Sequence, residues 1–147
     1  MKHGIFSLVA ALVAVAGTLT SFADPPGDKP GRFGFAFQFP SGAETTRLRI
    51  CGVEPRGPAD QAGLRQADVV DSVDGHRDFR DAYDVYSYLF SLQAGHPLVL
   101  EISRGDESLT VTIVAAEATP EQRDQMKKTL QRALAARERA EHRQQQR

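Results

Sequence analysis

Phenylalanines at 33, 35, 37 and 39 recur at every second position, which places four rings on one face of an extended segment and predicts a strand. Leu48 and Ile50 alternate in the same way and predict a second strand, ended by Pro55, Gly57 and Pro58. A single helical turn is predicted over Ala59 to Ala62, closed by Gly63. Val69, Val70 and Val73 then lead into Asp74-Gly75, a tight-turn pair. From Ala82 to Leu92 the spacing becomes helical: Asp81 is placed to cap the helix, Val85, Leu89 and Leu92 share a face, and Gly95 with Pro97 stops it. Leu98, Leu100 and Ile102 alternate, Gly105-Asp106 turns the chain, and Leu109, Val111 and Ile113 alternate back, predicting a hairpin. The predicted order is β, β, short α, β, α, β, β.

The pattern changes at both ends. Lys2 and His3 precede a charge-free stretch from Gly4 to Ala23, and Ser21-Phe22-Ala23 offers small residues at an A-x-A-like cleavage site. Residues 1–23 are therefore read as a signal peptide cleaved after Ala23, which places the working protein in the periplasm or outside the cell. An uncleaved membrane anchor is the alternative, since about 20 helical residues just span a bilayer's hydrocarbon core. Residues 24–31, DPPGDKPG, are too rich in proline and glycine to join a core and are read as a linker. After Thr119 the composition turns to Gln, Arg, Ala and Glu. Thr119-Pro120-Glu121-Gln122 has the form of a helix start, with Thr as cap and Gln reaching back from the third position. Met126, Leu130, Ala133 and Leu134 give this tail, 119–147, only a thin apolar stripe. An exposed, partly frayed helix is expected; docking on the domain and coiled-coil pairing with another chain are the alternatives.

Charge sharpens this division. Residues 24–119 carry 9 basic and 15 acidic side chains, net −6, whereas residues 120–147 carry 8 and 4, net +4. Domain and tail are thus expected to attract each other. Over all 147 residues, 18 basic groups nearly offset 19 acidic ones and 41% of positions are apolar. That balance argues against a basic nucleic-acid binder and against a wholly disordered chain. Cys51 is the sole cysteine and the four histidines lack ligand spacing, so no disulfide, metal or other cofactor is expected. Catalysis would have to rest on Cys51 with His76 or His96, but a small side chain in a predicted strand is more often inert. No G-x-S-x-G or H-E-x-x-H motif is present. No catalytic residue is assigned.

Gly57-Pro58-Ala59-Asp60-Gln61-Ala62-Gly63-Leu64, followed by Asp68-Val69-Val70 and Val73-Asp74-Gly75, closely resembles a stretch of bacterial PDZ domains, particularly those of HtrA-type periplasmic proteases. Ala67 stands where that family usually has glycine, and Asp74 replaces its common asparagine. Arg32-Phe33-Gly34-Phe35 is similar to the family's carboxylate-binding loop, and the resemblance extends from about Arg32 to Ala115. It implies a PDZ-like α+β domain over 32–116: a small, partly open barrel or sandwich of five or six strands with two helices, here with a C-terminal helix added.

The resemblance also implies a groove between a strand and the longer helix that accepts a peptide. Gly34 would let the amides of Phe33, Gly34 and Phe35 converge on a chain-terminal carboxylate. Arg32, Ala36 and Phe37 would line the groove from the strand side, with the strand's free edge open to β-augmentation; core packing is the alternative for Phe37 and a solvated side chain for Arg32. From the helix, Asp84, Tyr88 and Ser91, one residue before each core position, would face it. Charge-assisted hydrogen bonds contribute about 1.5–3 kcal/mol each, and burying one apolar side chain adds roughly as much. Together they support micromolar capture, about −8 kcal/mol, after ordering costs. The expectation is an exported, noncatalytic module that binds C-terminal or extended segments of other proteins. The alternative is a regulatory or assembly subunit docking on an envelope protease or secretion complex.

Overall fold

The structure, a computed structural model, describes residues 29–39 and 47–147. The proposed signal segment and most of the proline-rich linker lie outside the described residues. In chain order the elements are β1 (Gly31–Arg32), β2 (Phe35–Gln38), β3 (Leu48–Val53), α1 (Pro58–Gln61), β4 (Val69–Val73), α2 (Ala82–Ser91), β5 (Pro97–Arg104), β6 (Glu107–Val114), β7 (Ala116–Glu117) and α3 (Pro120–Gln145). An open five-stranded antiparallel sheet runs β2-β3-β4-β5-β6, and β1 pairs with β7 in a second, two-stranded sheet. This is the PDZ-like architecture implied by the motifs.

Alternation explains the core. Leu98, Leu100 and Ile102 of β5 and Val111 and Ile113 of β6 all point inward, while the residues between them face solvent. Ile50 from β3, Leu64 after α1, and Val85 and Leu89 from α2 close over them. Each such side chain contributes about 1.5–3 kcal/mol by leaving water. One charge is buried with them. Asp68, 1% exposed, accepts a two-pronged contact from Arg104 at 2.8 and 2.9 Å and an amide hydrogen bond from Arg65 at 2.8 Å. Arg104 also donates to the Gly63 carbonyl, so the pair ties the end of α1 to the β5–β6 hairpin. Burial pushes the Asp68 carboxyl up, but the Arg104 and Arg65 contacts outweigh it and leave it below the ordinary carboxylate range.

Three expectations need correcting. The phenylalanine run is not one strand: Phe33 and Gly34 form a loop before β2, and the β2–β3 register shifts between Ala36 and Phe37. A left-handed residue, Gly34 at φ +75, bends the backbone there. The linker also ends sooner than the sequence suggested. The Lys29 carbonyl accepts from Ala94, the Pro30 carbonyl from Ala118, and Gly31 N–H donates to Leu92, so residues 29–31 are stitched into the domain.

The third correction concerns the tail. The capping box forms as read, with Thr119 and Gln122 exchanging hydrogen bonds, but α3 is not a free helix. Gln122 and Met126 line the same cavity as Leu89 and Phe90 near the C-terminal end of α2, and Arg137 reaches Asp81 at its N-cap, so α3 lies antiparallel along α2. The thin stripe suffices because the partner surface is supplied by the same chain, which removes most of the entropic cost of association.

Candidate functional site

β2 pairs only with β3 among the described residues, so its other edge is open. Between that strand and α2 lies a cavity of about 340 Å³. Phe33, Phe35 and Phe37 line it from the loop and β2, while Tyr86, Leu89 and Phe90 line it from α2. The rings form a continuous aromatic surface, with Phe37 4.6 Å from Tyr86 and Tyr86 5.3 Å from Phe90, centroid to centroid.

At one end is the Phe33-Gly34-Phe35 loop. Its anchoring hydrogen bonds use carbonyls: Phe33 O accepts from Ala59 N–H at 2.9 Å, and Gly34 O from Glu54 N–H at 2.8 Å. Neither contact spends the Phe33 or Gly34 amide. A side chain at position 34 would have to adopt φ +75 and would crowd the Pro58 ring at 3.2 Å. Gly31 is tighter still, because an added Cβ would stand 2.7 Å from that of Ala115 and 2.9 Å from the Gln93 carbonyl oxygen. The Arg32 guanidinium pairs with the Glu54 carboxylate, and both residues line the cavity.

The structure therefore gathers Arg32, Phe33, Gly34, Phe35 and Phe37 around one cavity. Ala36 is exposed and is not among its lining residues. The residues expected from α2 lie elsewhere. Asp84 binds Arg80 and Arg137, Tyr88 donates to Asp74 at 2.6 Å, and Ser91 donates to the Tyr88 carbonyl. On a helix, positions one before and one after the core stripe lie on opposite flanks. The fold turns the later flank, Tyr86 and Phe90, toward β2. Periodicity identifies both flanks and cannot choose between them.

The flank carrying Asp84 and Tyr88 is a dense polar network. Asp74 accepts from Tyr88 OH, from Val99 N–H at 2.7 Å, and lies 3.0 Å from His96 Nε2. Burial pushes the Asp74 carboxyl up, but these hydrogen bonds prevail and hold it below its ordinary value. Burial and the same contact push the Tyr88 phenol up to about 12. Hydrogen bonds from Arg80, opposed by burial and reinforced by Arg137, hold Asp84 well below the carboxylate range. Hydrogen bonding from Arg137 lowers Asp81 likewise. His76 packs its ring 5.2 Å from Tyr88, so neither His76 nor His96 has Cys51 as its partner in these contacts.

Residues the sequence reading missed complete the cavity: Gly31, Glu54, Tyr86 and Phe90, together with Gln122, Gln125 and Met126 of α3, while Leu89 serves both core and cavity. The only signal for the α3 group was the spacing of Gln122 and Met126, one turn apart on the face of the predicted stripe.

With this geometry, residues 31–114 match the PDZ domain family, and the chain belongs to that family. Among solved structures, the HtrA-type protease AlgW with decapeptide is 20% identical, with a TM-score of 0.53, over 63% of this chain and 30% of that one. The HtrA3 PDZ domain bound to a phage-derived ligand, FGRWV, is 19% identical, with a TM-score of 0.51, over 60% of this chain and 86% of that one. A PDZ domain protein from Parabacteroides distasonis is 21% identical, with a TM-score of 0.50, over 61% and 21% of the two chains. The aligned part of this chain thus spans about 30% of the AlgW chain. These likenesses are of fold. No curated protein matches the chain.

Proposed function

We propose that this protein is a noncatalytic peptide-binding module that captures the C-terminal segments of other proteins. The observation that carries this reading is the open edge of β2 facing α2 across an aromatic-lined cavity, with the glycine loop at its end. A peptide strand would add to the β2 edge, with main-chain hydrogen bonds supplying affinity. Its last apolar side chain would enter the cavity, and its carboxylate would meet the amides of Phe33, Gly34 and Phe35. Support also comes from two similar structures, the HtrA-type protease AlgW with a decapeptide and the HtrA3 PDZ domain bound to a phage-derived ligand. The charged-then-apolar N-terminal segment with its Ser21-Phe22-Ala23 site supports export, so the ligands would be proteins of the envelope or the exterior.

A library of peptides with random free C-termini, screened against the purified chain, tests this reading. Enrichment of apolar last residues, lost when the termini are amidated, is expected. Equal binding of acid and amide forms would overturn the carboxylate assignment.

A further inference from the structure

Part of the cavity wall lies outside the family's segment. The PDZ match ends at residue 114, yet Gln122, Gln125 and Met126, from the first two turns of α3, line the same cavity as Phe33 and Phe90. This wall is anchored at both ends. β7 pairs Glu117 with Gly31 and Ala116 with Arg32, so the start of α3 is tied to the strand that leads into the glycine loop. Ala118, 3% exposed, donates to the Pro30 carbonyl, and the capping box fixes the first turn. Eleven residues beyond Met126, Arg137 donates to Asp81 and Asp84 and lies 4.5 Å over the Tyr83 ring.

The chemistry of the wall is specific. Met126 is half-buried and offers a flexible, polarisable thioether to the surrounding rings. The Gln122 carbonyl oxygen already accepts from Thr119 N–H at 2.8 Å, which leaves its amide hydrogens free to donate. Arg32, the cation at the cavity, is matched by Glu54, so no uncompensated charge favours an acidic side chain. The volume of about 340 Å³ falls in the range of small-molecule pockets and exceeds the needs of a short aliphatic group.

Resting on the peptide-binding reading, we propose that Gln122, Gln125 and Met126 are specificity-determining residues. In this proposal α3 forms the outer wall around the ligand's last side chain and selects a large apolar one, methionine, leucine or phenylalanine, over valine or alanine. Met126 sets the depth of the pocket, and the two glutamines close its polar rim.

The test uses the full chain and one peptide body ending in Ala, Val, Leu, Met or Phe, each as free acid and as amide, with affinities read by fluorescence anisotropy. The wild type should bind the three large-ended acids at least about fivefold tighter than the Ala-ended acid. Met126→Ala should weaken the large-ended peptides about fivefold and leave the Ala-ended one within about twofold. Met126→Trp should shrink the pocket and move the optimum to Val or Ala. Lys128→Ala, on the exposed side of the same helix, should match the wild type. An unchanged rank order and spread in both Met126 variants would overturn the proposal while leaving peptide capture standing. Failure of the wild type to distinguish acid from amide would overturn the underlying carboxylate reading as well. Should Met126→Ala unfold, as read by circular dichroism, Met126→Trp decides the matter alone.

Discussion

The two flanks of α2 use the same kinds of residue for opposite ends. On one, Tyr88, Asp84 and Ser91 have partners for their polar groups: Asp74, the Arg80 and Arg137 guanidinium groups, and a helix carbonyl. On the other, Tyr86 and Phe90, beside Leu89 of the core stripe, present ring and methyl surface to a cavity beside an open strand edge. This polar flank holds the fold, because most of its polar groups are satisfied internally, the buried Ser87 hydroxyl excepted. The other flank has binding capacity to spare. Polar residues in a pattern therefore mark function less reliably than unspent hydrogen-bonding and apolar surface brought together.

The contrast can be broken in either direction. The largest effect is expected from Asp74→Ala, which removes the acceptor shared by Tyr88, Val99 and His96. A loss of about 3 kcal/mol in denaturant unfolding is expected, with peptide affinity of the folded protein unchanged within about twofold. Weakened capture at full folding would show that the two flanks are not separate. Gly34→Asp should do the converse, reducing capture of a free-carboxylate peptide at least about tenfold, or roughly 1.4 kcal/mol. Amidating the peptide should have the same effect on the wild type and little further effect on the variant, measured by calorimetric titration.

Acid separates the flanks without mutation. Asp74, Asp81 and Asp84 have folded-state pKa values below the ordinary 3.8. Their stabilising contribution is therefore complete above about pH 4 and is lost as the pH falls through the depressed values. For Tyr88 the sign reverses: its contribution is full below pH 10 and disappears as the pH rises toward about 12. Thermal melts across pH should show both losses. Arg137→Ala should lower stability by about 1–2 kcal/mol at pH 7, between the values for exposed and buried pairs, and should flatten the acid limb. An acid limb as steep as that of the wild type would separate α3 docking from these carboxylates.

The smallest effect lies on neither flank. Ala67 sits at φ +74, a left-handed conformation that costs a β-carbon about 1 kcal/mol. Ala67→Gly should recover most of that strain, partly offset by added unfolded-state freedom, and raise stability by about 0.5 kcal/mol without altering peptide affinity. A lower melting temperature would refute the strain at this position.

Local chemistry made much of the molecule readable in advance. The β5–β6 hairpin, the Asp81 cap and the Thr119–Gln122 capping box each depend on residues close in sequence, and each formed as expected. The loop at Gly34 was legible only through the family resemblance, because the alternation of Phe33, Phe35, Phe37 and Phe39 runs through it without a break and reads as one strand. That Tyr86 and Phe90, and not Asp84 and Tyr88, face β2 has a different origin. Val85 and Leu89 define the buried stripe, but which neighbouring flank meets β2 follows from how the sheet passes beneath the helix, a relation between segments about 50 residues apart.

Amino-acid order alone thus determined the β5–β6 hairpin, the caps, the turn glycines and the apolar stripe, because each is a contest among a few neighbouring dihedrals and side chains. Tertiary structure decided which side of α2 would be spent on hydrogen bonds and that α3 would fold back to wall the cavity. Those outcomes depend on surfaces from distant segments meeting in space, where burial and charge pairing act on whatever faces the fold brings together.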